Sequence, residues 1–375
     1  MLKNISIKNF KAHSETNLEL RNLNILTGIN GAGKSSVFQA LLLLRQSHEN
    51  NVLKNGLQLN RPHCYIGEYS DAIYQYAPND VIEFSISTAD HGIQTWKFRP
   101  EKNNLTGNFI PIFETIQTGL DNISVFNDNF HYLSSLRFSK NEANTFLVET
   151  RRQLSIEKGQ AELVGHFLFY WGKEKKEKVR FENLIHPDIT ENDLLSQTSA
   201  WEREISPNVN VVPLRSGNSY IIKYSFNKGA DVTNEFSSDN VGFGLSYALP
   251  IIVAILSSEK NSLLLIENPE GHLHPKGQAQ LARLIALAAQ SGVQIILETH
   301  SEHIINGVLV ACKKFEQNEK GIDKELVRIY HFKRDEDRHC TISEPIKIIE
   351  GGKVDNQPND FFDQTEKDLN ILLGF

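Results

Sequence analysis

Apolar and polar residues alternate at the start of the chain and form longer apolar runs further along it. The segment LKNISIKNF (residues 2–10) has the two-residue period of a strand with one buried face, and LNILTG (residues 23–28) predicts a second strand. The leucine-rich segment SSVFQALLLLRQS (residues 35–47) has the length of a helix. Near-continuous apolar runs at residues 263–266 and 293–297 are typical of strands buried on both faces, so we expect an α/β fold with a mixed or parallel core sheet.

The rest of the pattern divides the chain into three predicted parts. VIEFSIST and IQTWKFRP, joined by ADHG, predict an antiparallel hairpin in an N-terminal β subdomain. Between about residues 121 and 204 the sequence is more polar, which predicts a mostly helical insert. The pattern of residues 327–349 predicts a terminal hairpin. The predicted parts are therefore residues 1–120, 121–205 and 206–375.

Composition and charge restrict the class of protein. Of 375 residues, 40% are hydrophobic and 23% are charged, as in a globular protein, and the net charge of −7 argues against indiscriminate binding to nucleic acid. DNA stays open as a partner because a local basic patch is compatible with that charge. The longest apolar run, YALPIIVAIL, is about half the roughly 20 residues that a membrane helix needs. With no signal-peptide pattern at the N-terminus, we expect a cytoplasmic protein without a membrane segment.

The segment TGINGAGKSS (residues 27–36) contains the complete pattern G-x-x-x-x-G-K-[ST] between a predicted strand and a predicted helix. In that context the glycines let backbone N–H groups point at phosphates, and the helix N-terminus adds its dipole. Lys34 would reach the β- and γ-phosphates of a nucleotide, and the hydroxyl of Ser35 would bind Mg²⁺. The predicted nucleotide-binding residues of this loop are Asn30, Gly31, Ala32, Gly33, Lys34, Ser35 and Ser36.

Two later strands end in residues that suit the same site. LLLIENPE places Glu267 at the end of one strand and Glu270 just beyond it, and ETHS places His300 at the end of the next. Because ligands of open α/β sheets bind at the carboxyl ends of the strands, we expect these side chains near the phosphates. Glu267 would then hold the magnesium ion.

These blocks, together with NVGFGLSYALPIIVAIL and the tail EGGKVDNQPNDFF, resemble the ABC-type ATPase heads of the SMC and OLD-like families, within a bacterial subgroup of AAA family ATPases. The resemblance implies a P-loop NTPase head in which two copies close face to face on two ATP molecules. It implies that residues 1–120 form lobe I with the Walker A motif and residues 206–375 form lobe II. It also assigns the magnesium-binding Walker B acid to Glu267, the switch histidine to His300, and a basic residue near phosphate to Lys11.

The chain departs from the family pattern at two places. The signature loop, which contacts the partner's nucleotide, corresponds to Gly242-Phe243-Gly244, so backbone N–H groups at Gly242 and Gly244, or the side chains of Asn240 or Ser246, would have to serve. The position of the general base holds Asn268, whose amide cannot accept a proton from water. We therefore expect slow hydrolysis, with Asn268 orienting water and Glu270 as the nearest other carboxylate.

Two other site chemistries fit the sequence less well. His272, His274, His300 and His303 have spacings that suit zinc, but no cysteine or acid nearby completes a ligand set. The Asp-x-Asp pair in RDEDR (residues 334–338) is similar to part of the Toprim nuclease of OLD proteins, yet that domain needs a longer extension with its own glutamate. We expect a polar hairpin tip instead.

Two classes of function remain open from the sequence. In the first, the protein is an ATPase that forms homodimers or higher homo-oligomers and gates a separate effector protein, for which a nuclease is one candidate, in bacterial anti-phage defence. In the second, it is an ATP-dependent scaffold without appreciable hydrolysis, or a DNA-repair type of SMC-like head. The substitution at Asn268 favours slow chemistry in either case.

Overall fold

The strands of the molecule belong mainly to two six-stranded sheets with helices packed between and around them. The computed structural model describes residues 1–101, 106–137, 142–229, 231–355, 358 and 364–373. The strands are β1 (Leu2–Phe10), β2 (His13–Glu19), β3 (Leu23–Gly28), β4 (Gly56–Gln58), β5 (Ile82–Thr88), β6 (Gly92–Phe98), β7 (Phe109–Ile116), β8 (Phe130–Leu133), β9 (Val209–Ser216), β10 (Ser219–Lys228), β11 (Asp231–Val232), β12 (Phe236–Ser237), β13 (Leu263–Glu267), β14 (Gln294–Glu298), β15 (Val327–Asp335), β16 (Cys340–Ile346), β17 (Ile348–Ile349) and β18 (Lys353–Val354). The α-helices are α1 (Lys34–Glu49), α2 (Tyr69–Ala72), α3 (Val164–Phe167), α4 (Leu194–Arg203), α5 (Phe243–Leu256), α6 (Pro275–Gln290), α7 (Glu302–Glu316) and α8 (Gln364–Leu373).

The core sheet has the strand order β16-β15-β3-β14-β13-β8. All neighbours are parallel except β15 and β16, which form the antiparallel hairpin predicted at the C-terminal end. Leu264 and Leu297 belong to the hydrophobic cluster that also contains α5, α6 and α7, whereas Leu265 and Ile296 belong to the cluster that contains α1. Because both faces are covered in this way, the apolar runs of β13 and β14 are continuous, as the sequence pattern predicts.

The N-terminal sheet is antiparallel and has the order β2-β1-β5-β6-β7-β4. The predicted hairpin is present as β5 and β6, with Thr88 opposite Gly92. The alternating apolar residues of β1, such as Ile5 and Ile7, join the same hydrophobic cluster as α1. This packing holds the start of α1 between the two sheets.

The segment predicted as a helical insert contributes a strand to the core sheet. Within residues 121–205, the short strand β8 pairs in parallel with β13 at the edge of the sheet. Its polar flanking sequence gives no indication of a strand. The remainder includes α3, α4 and two π-helical segments at residues 146–150 and 168–174, and α3 packs against β9 and β10 while α4 packs against β9. The three-part division of the chain stays a prediction, and β8 ties the middle part to the core.

The C-terminal region begins with the β15–β16 hairpin. Asp335, near its tip, accepts hydrogen bonds from the backbone N–H groups of Asp337 and Arg338, so the RDEDR segment is a polar hairpin tip, as expected. In the tail EGGKVDNQPNDFF, residues 356, 357 and 359–362 lie outside the described residues. Among the helices that the structure describes, none has the length and apolar character needed to cross a membrane.

Candidate nucleotide-binding site

The predicted phosphate loop connects β3 to α1. Its glycines Gly28, Gly31 and Gly33 have φ angles of 132°, 77° and 96°, a region that side chains other than glycine rarely adopt. At Gly28 a Cβ atom would collide with the carbonyl oxygen of Phe332 on β15, and at Gly33 it would collide with the hydroxyl of Thr341 on β16. Glycine is therefore required at both positions, by backbone conformation and by the close approach of the core sheet.

Lys34 is the first residue of α1, and its side chain folds back into the loop. Its Nζ donates hydrogen bonds to the carbonyl oxygens of Gly28 at 2.9 Å and Ile29 at 2.8 Å, and the residue is 3% exposed. Burial lowers the pKa of Lys34, while the nearby carboxylate of Glu298 acts in the opposite direction. The ammonium group and the N-terminus of the 16-residue helix thus face the same loop, an arrangement suited to phosphate.

Two side chains that the sequence analysis did not identify hold the loop from outside. His13 on β2 contacts the carbonyl oxygen of Gly33 through Nε2 at 3.0 Å and the hydroxyl of Thr16 through Nδ1 at 2.8 Å. Burial lowers the pKa of His13 to about 4, so the ring is neutral at pH 7, with Nε2–H assigned as the donor to the carbonyl. Thr341 on β16 donates to the carbonyl oxygen of Ala32 at 3.0 Å. No local motif marks these contacts, because they depend on strands far apart in sequence.

Lys11 lies in the turn between β1 and β2, with a φ angle of 52°. Its Nζ donates to the side-chain oxygen of Gln39 at 2.9 Å, and Gln39 lies on α1 about one turn after Ser35. Burial lowers the pKa of Lys11. The structure therefore places this cation beside the first turns of α1, and its predicted contact with phosphate stays a prediction.

Glu267 and Glu298 lie side by side at the carboxyl ends of β13 and β14, where they are register partners. Glu267 is oriented by the strand on its other side: its Oε1 accepts a hydrogen bond from the hydroxyl of Tyr132 at 2.8 Å, and its Oε2 accepts one from the backbone N–H of Ser135 at 3.1 Å. Both oxygens of the predicted magnesium ligand thus have protein donors from β8 and the turn that follows it.

Glu298 is the carboxylate that contacts the phosphate loop directly. Its Oε1 accepts a hydrogen bond from the hydroxyl of Ser35 at 2.9 Å, and the residue is 5% exposed. Burial raises the pKa of Glu298 to about 7, although the hydrogen bond from Ser35 and the ammonium of Lys34 act in the opposite direction. Glu298 is absent from the predicted site residues, although it is itself a strand-end acid in the segment ETHS (residues 298–301).

Asn268 follows Glu267 in a left-handed conformation, with a φ angle of 42° that asparagine tolerates better than most residues. Its backbone N–H donates to the carbonyl oxygen of Glu298 at 2.8 Å. Its own carbonyl oxygen accepts hydrogen bonds from the buried guanidinium of Arg137 at 2.9 Å and from the hydroxyl of Tyr247 at 3.1 Å. The turn after β13 is therefore fixed at the backbone, independently of the Asn268 amide.

Glu270 and His300 meet at the same edge of the sheet. The carboxylate of Glu270 accepts hydrogen bonds from the hydroxyl of Thr299 and from the backbone N–H of His300, both at 2.8 Å. The ring of His300 faces the backbone of Gly28, and partial desolvation and then the charge of Lys34 lower its pKa. Glu270 thus fixes the backbone that presents His300 to the loop, a contact that suits positioning better than direct action on the nucleotide.

The predicted signature residues lie at the start of α5. Gly242 is exposed and has free space around it, whereas Gly244 packs against the backbone carbonyl of His272. The ring centroids of Phe243 and His272 lie 4.5 Å apart, so this loop contacts the segment GHLHP (residues 271–275) of the same molecule. The hydroxyl oxygen of Ser246 is buried, which makes Ser246 unsuitable for contact with a second molecule.

The donor set at the loop fits a magnesium ion bound together with nucleotide. Mg²⁺ prefers oxygen ligands and is commonly held by one or two protein groups plus phosphate oxygens, and here Ser35 and Glu298 supply oxygens beside the loop. The Oε2 atom of Glu298 is buried without a hydrogen-bond partner. Within the described ranges, no group of three or more His, Cys, Asp or Glu side chains is arranged to hold a metal ion by itself, and this includes the histidines considered for zinc.

Two protein-family models and two characterised proteins match parts of this chain. A family model described as "AAA domain, putative AbiEii toxin, Type IV TA system" matches residues 23–306, and one described as "Protein of unknown function (DUF3696)" matches residues 322–372. The OLD nuclease of Thermus scotoductus is 23% identical over 391 residues, covering 96% of this chain and 69% of that protein. The DNA double-strand break repair Rad50 ATPase of Archaeoglobus fulgidus is 46% identical over 44 residues, covering 12% of this chain and 5% of that protein.

Solved structures show the same fold at low sequence identity. An SMC head bound to the C-terminal winged-helix domain of ScpA has a TM-score of 0.55 at 14% identity and covers 92% of this chain and 98% of its own. An SMC head with an extended coiled coil, bound to the C-terminal domain of ScpA derived from Pyrococcus furiosus, has a TM-score of 0.52 at 12% identity, with 99% and 98% covered. The predicted fold class, an α/β head with a mixed core sheet and an antiparallel N-terminal sheet, is confirmed.

Proposed function

The chain belongs to the family described as "AAA domain, putative AbiEii toxin, Type IV TA system" and is an ABC-type ATPase head of the SMC/OLD-like group; from this premise we propose that it binds ATP with Mg²⁺ at residues 28–35. The observation that carries the proposal is the loop itself. Lys34 and Ser35 lie together in this loop at the N-terminus of α1, and Ser35 contacts the carboxylate of Glu298.

In the proposed complex the loop binds the phosphates through the backbone N–H groups of Asn30 to Ser36, and Lys34 exchanges its carbonyl partners for phosphate oxygens. Ser35 and Glu267 would hold Mg²⁺, and the bound ion would supply positive charge to offset that of the phosphates. His300 hydrogen-bonds the γ-phosphate or the attacking water from the neighbouring strand, and Glu270 holds His300 in place.

We propose that hydrolysis is slow. Phosphoryl transfer depends mostly on positioning and charge stabilisation, which Lys34 and the strand-end groups supply. The position of the general base holds Asn268, whose amide can orient water but cannot remove its proton. A partner protein that orients the site further would raise the rate.

We propose that two copies close on two ATP molecules, with Gly242 of one copy facing the nucleotide of the other. The exposed position and open surroundings of Gly242 at the start of α5 support this arrangement. Gly244 also lets the signature loop pack against His272 of the same molecule, and we propose that its backbone N–H faces the partner's nucleotide together with that of Gly242.

The biological role that fits this head is control of a separate effector in anti-phage defence. The family description names a toxin of a toxin–antitoxin system, and one relative is a nuclease. A nuclease partner is therefore one candidate effector. The Rad50 segment supports an alternative, a head that acts on DNA, and a scaffold that binds ATP without turnover is the second alternative.

Steady-state release of phosphate discriminates among these functions. We expect slow, Mg²⁺-dependent release that exceeds the release by the Lys34→Ala variant, and an increase on adding double-stranded DNA would favour the repair-type head. ATP binding without any release above that of Lys34→Ala would support the scaffold and contradict the ATPase.

The Asn268→Asp variant tests the reason for slow release. Aspartate has the shape of asparagine and tolerates the left-handed conformation, and it supplies a carboxylate at the base position. Since a positioned base contributes a factor of about 10² to 10⁴, we expect release to rise about tenfold or more. Asn306→Asp on the exposed face of α7 is the matched control. An unchanged rate in Asn268→Asp would show that the missing base does not limit turnover.

A further inference from the structure

Glu298 has the most direct contact with the phosphate loop of any carboxylate that the structure describes. It ends β14, which lies in the core sheet between β3, the strand that leads into the loop, and β13, the strand that ends in Glu267. This position brings its Oε1 to 2.9 Å from the hydroxyl of Ser35, the residue expected to bind the ion. The carboxylates of Glu267 and Glu298 are thus neighbours, but Ser35 donates to Glu298.

The second oxygen of Glu298 has no hydrogen-bond partner among the residues that the structure describes. Oε2 is buried, and the residue as a whole is 5% exposed. The ammonium of Lys34 acts on Glu298 but directs its Nζ to the carbonyl oxygens of Gly28 and Ile29, and among the described residues no salt bridge involves Glu298. A buried carboxylate without a direct ion pair is costly, so this arrangement favours a cation that arrives with the nucleotide.

Glu267 is in a different situation. Its Oε1 accepts from the hydroxyl of Tyr132, and its Oε2 accepts from the backbone N–H of Ser135. These two donors already stabilise its charge and hold it towards β8. Of the two register partners at the sheet edge, Glu298 has the oxygen without a donor and the contact to Ser35, which suits a role in binding the ion beside Glu267.

We propose that Glu298 is a magnesium-binding residue of the nucleotide site and supplies the charge that the neutral Asn268 does not. This inference rests on the proposed function, since the ion enters with ATP. The hydroxyl of Ser35 can donate its hydrogen to Glu298 while its lone pair binds the ion. The Oε2 atom of Glu298 then faces the ion or a water molecule bound to it.

The alternative is that Glu298 only accepts the hydrogen bond from Ser35 and so fixes the first turn of α1. The Glu298→Gln variant separates the two roles, because the amide oxygen still accepts from Ser35 while the negative charge is lost. Glu267→Gln makes the same change on the neighbouring strand, and Glu325→Gln makes it at an exposed position far from the loop.

The measurement is the binding of Mn²⁺, used in place of Mg²⁺, to each protein saturated with a non-hydrolysable ATP analogue, with free Mn²⁺ counted by electron paramagnetic resonance. We expect Glu298→Gln to lose Mn²⁺ affinity at least tenfold, and Glu325→Gln to match the wild type. The affinity of Glu298→Gln for the analogue in EDTA should equal or exceed that of the wild type, because a negative charge near the phosphates is removed.

Unchanged Mn²⁺ affinity in Glu298→Gln would overturn the inference. A loss of Mn²⁺ affinity in Glu267→Gln alone would assign the binding of the ion to Glu267. If Glu298→Gln does not fold, the Glu298→Asp variant tests the inference instead. Its shorter side chain places the carboxylate farther from Ser35 and should weaken Mn²⁺ binding at least threefold. Equal affinity in that variant would also overturn the inference. A wild-type protein that binds no analogue in EDTA or with metal would refute the proposed function itself.

Discussion

The neutral imidazole of His13 supports the phosphate loop from β2. Its ring is buried and links the hydroxyl of Thr16 to the carbonyl oxygen of Gly33, the residue that precedes α1. The hydroxyl of Thr16 could also accept from a protonated ring, so burial, rather than this contact, favours the neutral form, and protonation would place a buried charge beside the loop. The chemistry of one side chain therefore connects pH to the geometry of the loop.

This dependence predicts a loss of stability in acid. The pKa of His13 falls from 6.5 to about 4 on folding, because burial disfavours the charged ring. Between those pH values the unfolded chain binds a proton that the folded chain does not, so the free energy of unfolding decreases as the pH falls and is fully retained above pH 6.5. His13 should contribute about 1.4 kcal/mol per pH unit across this window.

Urea denaturation at several pH values between 7 and 4.5 measures this contribution. The His13→Gln variant should show a smaller decrease than the wild type, by about 1.4 kcal/mol per pH unit. His303→Asn, an exposed change on α7, is the matched control and should follow the wild type. Equal slopes for His13→Gln and wild type would show that His13 does not carry the effect.

At the scale of elements, the C-terminal hairpin formed by β15 and β16 contacts the predicted phosphate loop. Thr341 on β16 donates to the carbonyl oxygen of Ala32, and its backbone N–H donates to the carbonyl oxygen of Ala12 at 2.8 Å. The hairpin thus connects the turn after β1 with the phosphate loop. Residues 322–372, which match their own family model, include this hairpin, so that segment takes part in forming the site.

The Thr341→Val variant tests this connection. Valine keeps the shape of threonine but leaves the buried carbonyl of Ala32 without its donor, at a cost of about 1 kcal/mol or more. We expect the affinity for a fluorescent ATP analogue to fall about fivefold or more, and Thr341→Ser, which keeps the hydroxyl, to bind more tightly than Thr341→Val. Identical affinities in all three proteins would mean that the hairpin does not stabilise the binding conformation of the loop.

Which parts of the site can be predicted from the sequence depends on how far apart in sequence the contacting residues lie. The loop at Gly28 to Ser35 is predictable because one continuous segment supplies strand, glycines and helix. The contact of Ser35 with Glu298, and those of His13 and Thr341 with the loop, depend on the order and register of strands separated by many residues. The strand β8 could not be predicted for a related reason. Its four residues form a strand because they pair with β13, which lies more than 100 residues later in the sequence.

At the scale of the whole molecule, the site lies at the carboxyl edge of the core sheet, and Gly242 lies at the exposed start of α5. A head that closes on a second copy needs both surfaces. Gly242 is the position for testing this, because a Cβ atom there would meet no described atom within 4 Å apart from its chain neighbours, whereas at Gly244 it would collide with the carbonyl oxygen of His272.

The Gly242→Arg variant should fold and bind ATP as the wild type does but fail to dimerise. Multi-angle light scattering with a non-hydrolysable ATP analogue should give about twice the monomer mass of 42.5 kDa for the wild type and the monomer mass for Gly242→Arg. Asn218→Arg, at the exposed turn between β9 and β10, is the control and should dimerise. An ATP-bound dimer of Gly242→Arg would place the interface elsewhere.

The central claim is that residues 28–35 bind ATP through Lys34, and equilibrium titration with a fluorescent ATP analogue in the presence of Mg²⁺ tests it most directly. The ammonium of Lys34 is held inside the loop by two carbonyl oxygens, and no other described cation bonds to them. Wild type and Lys54→Ala, an exposed change, should bind with equal affinity, and Lys34→Ala should lose at least a hundredfold, with its fold checked by circular dichroism. A folded Lys34→Ala protein that binds the analogue as tightly as the wild type would contradict the account.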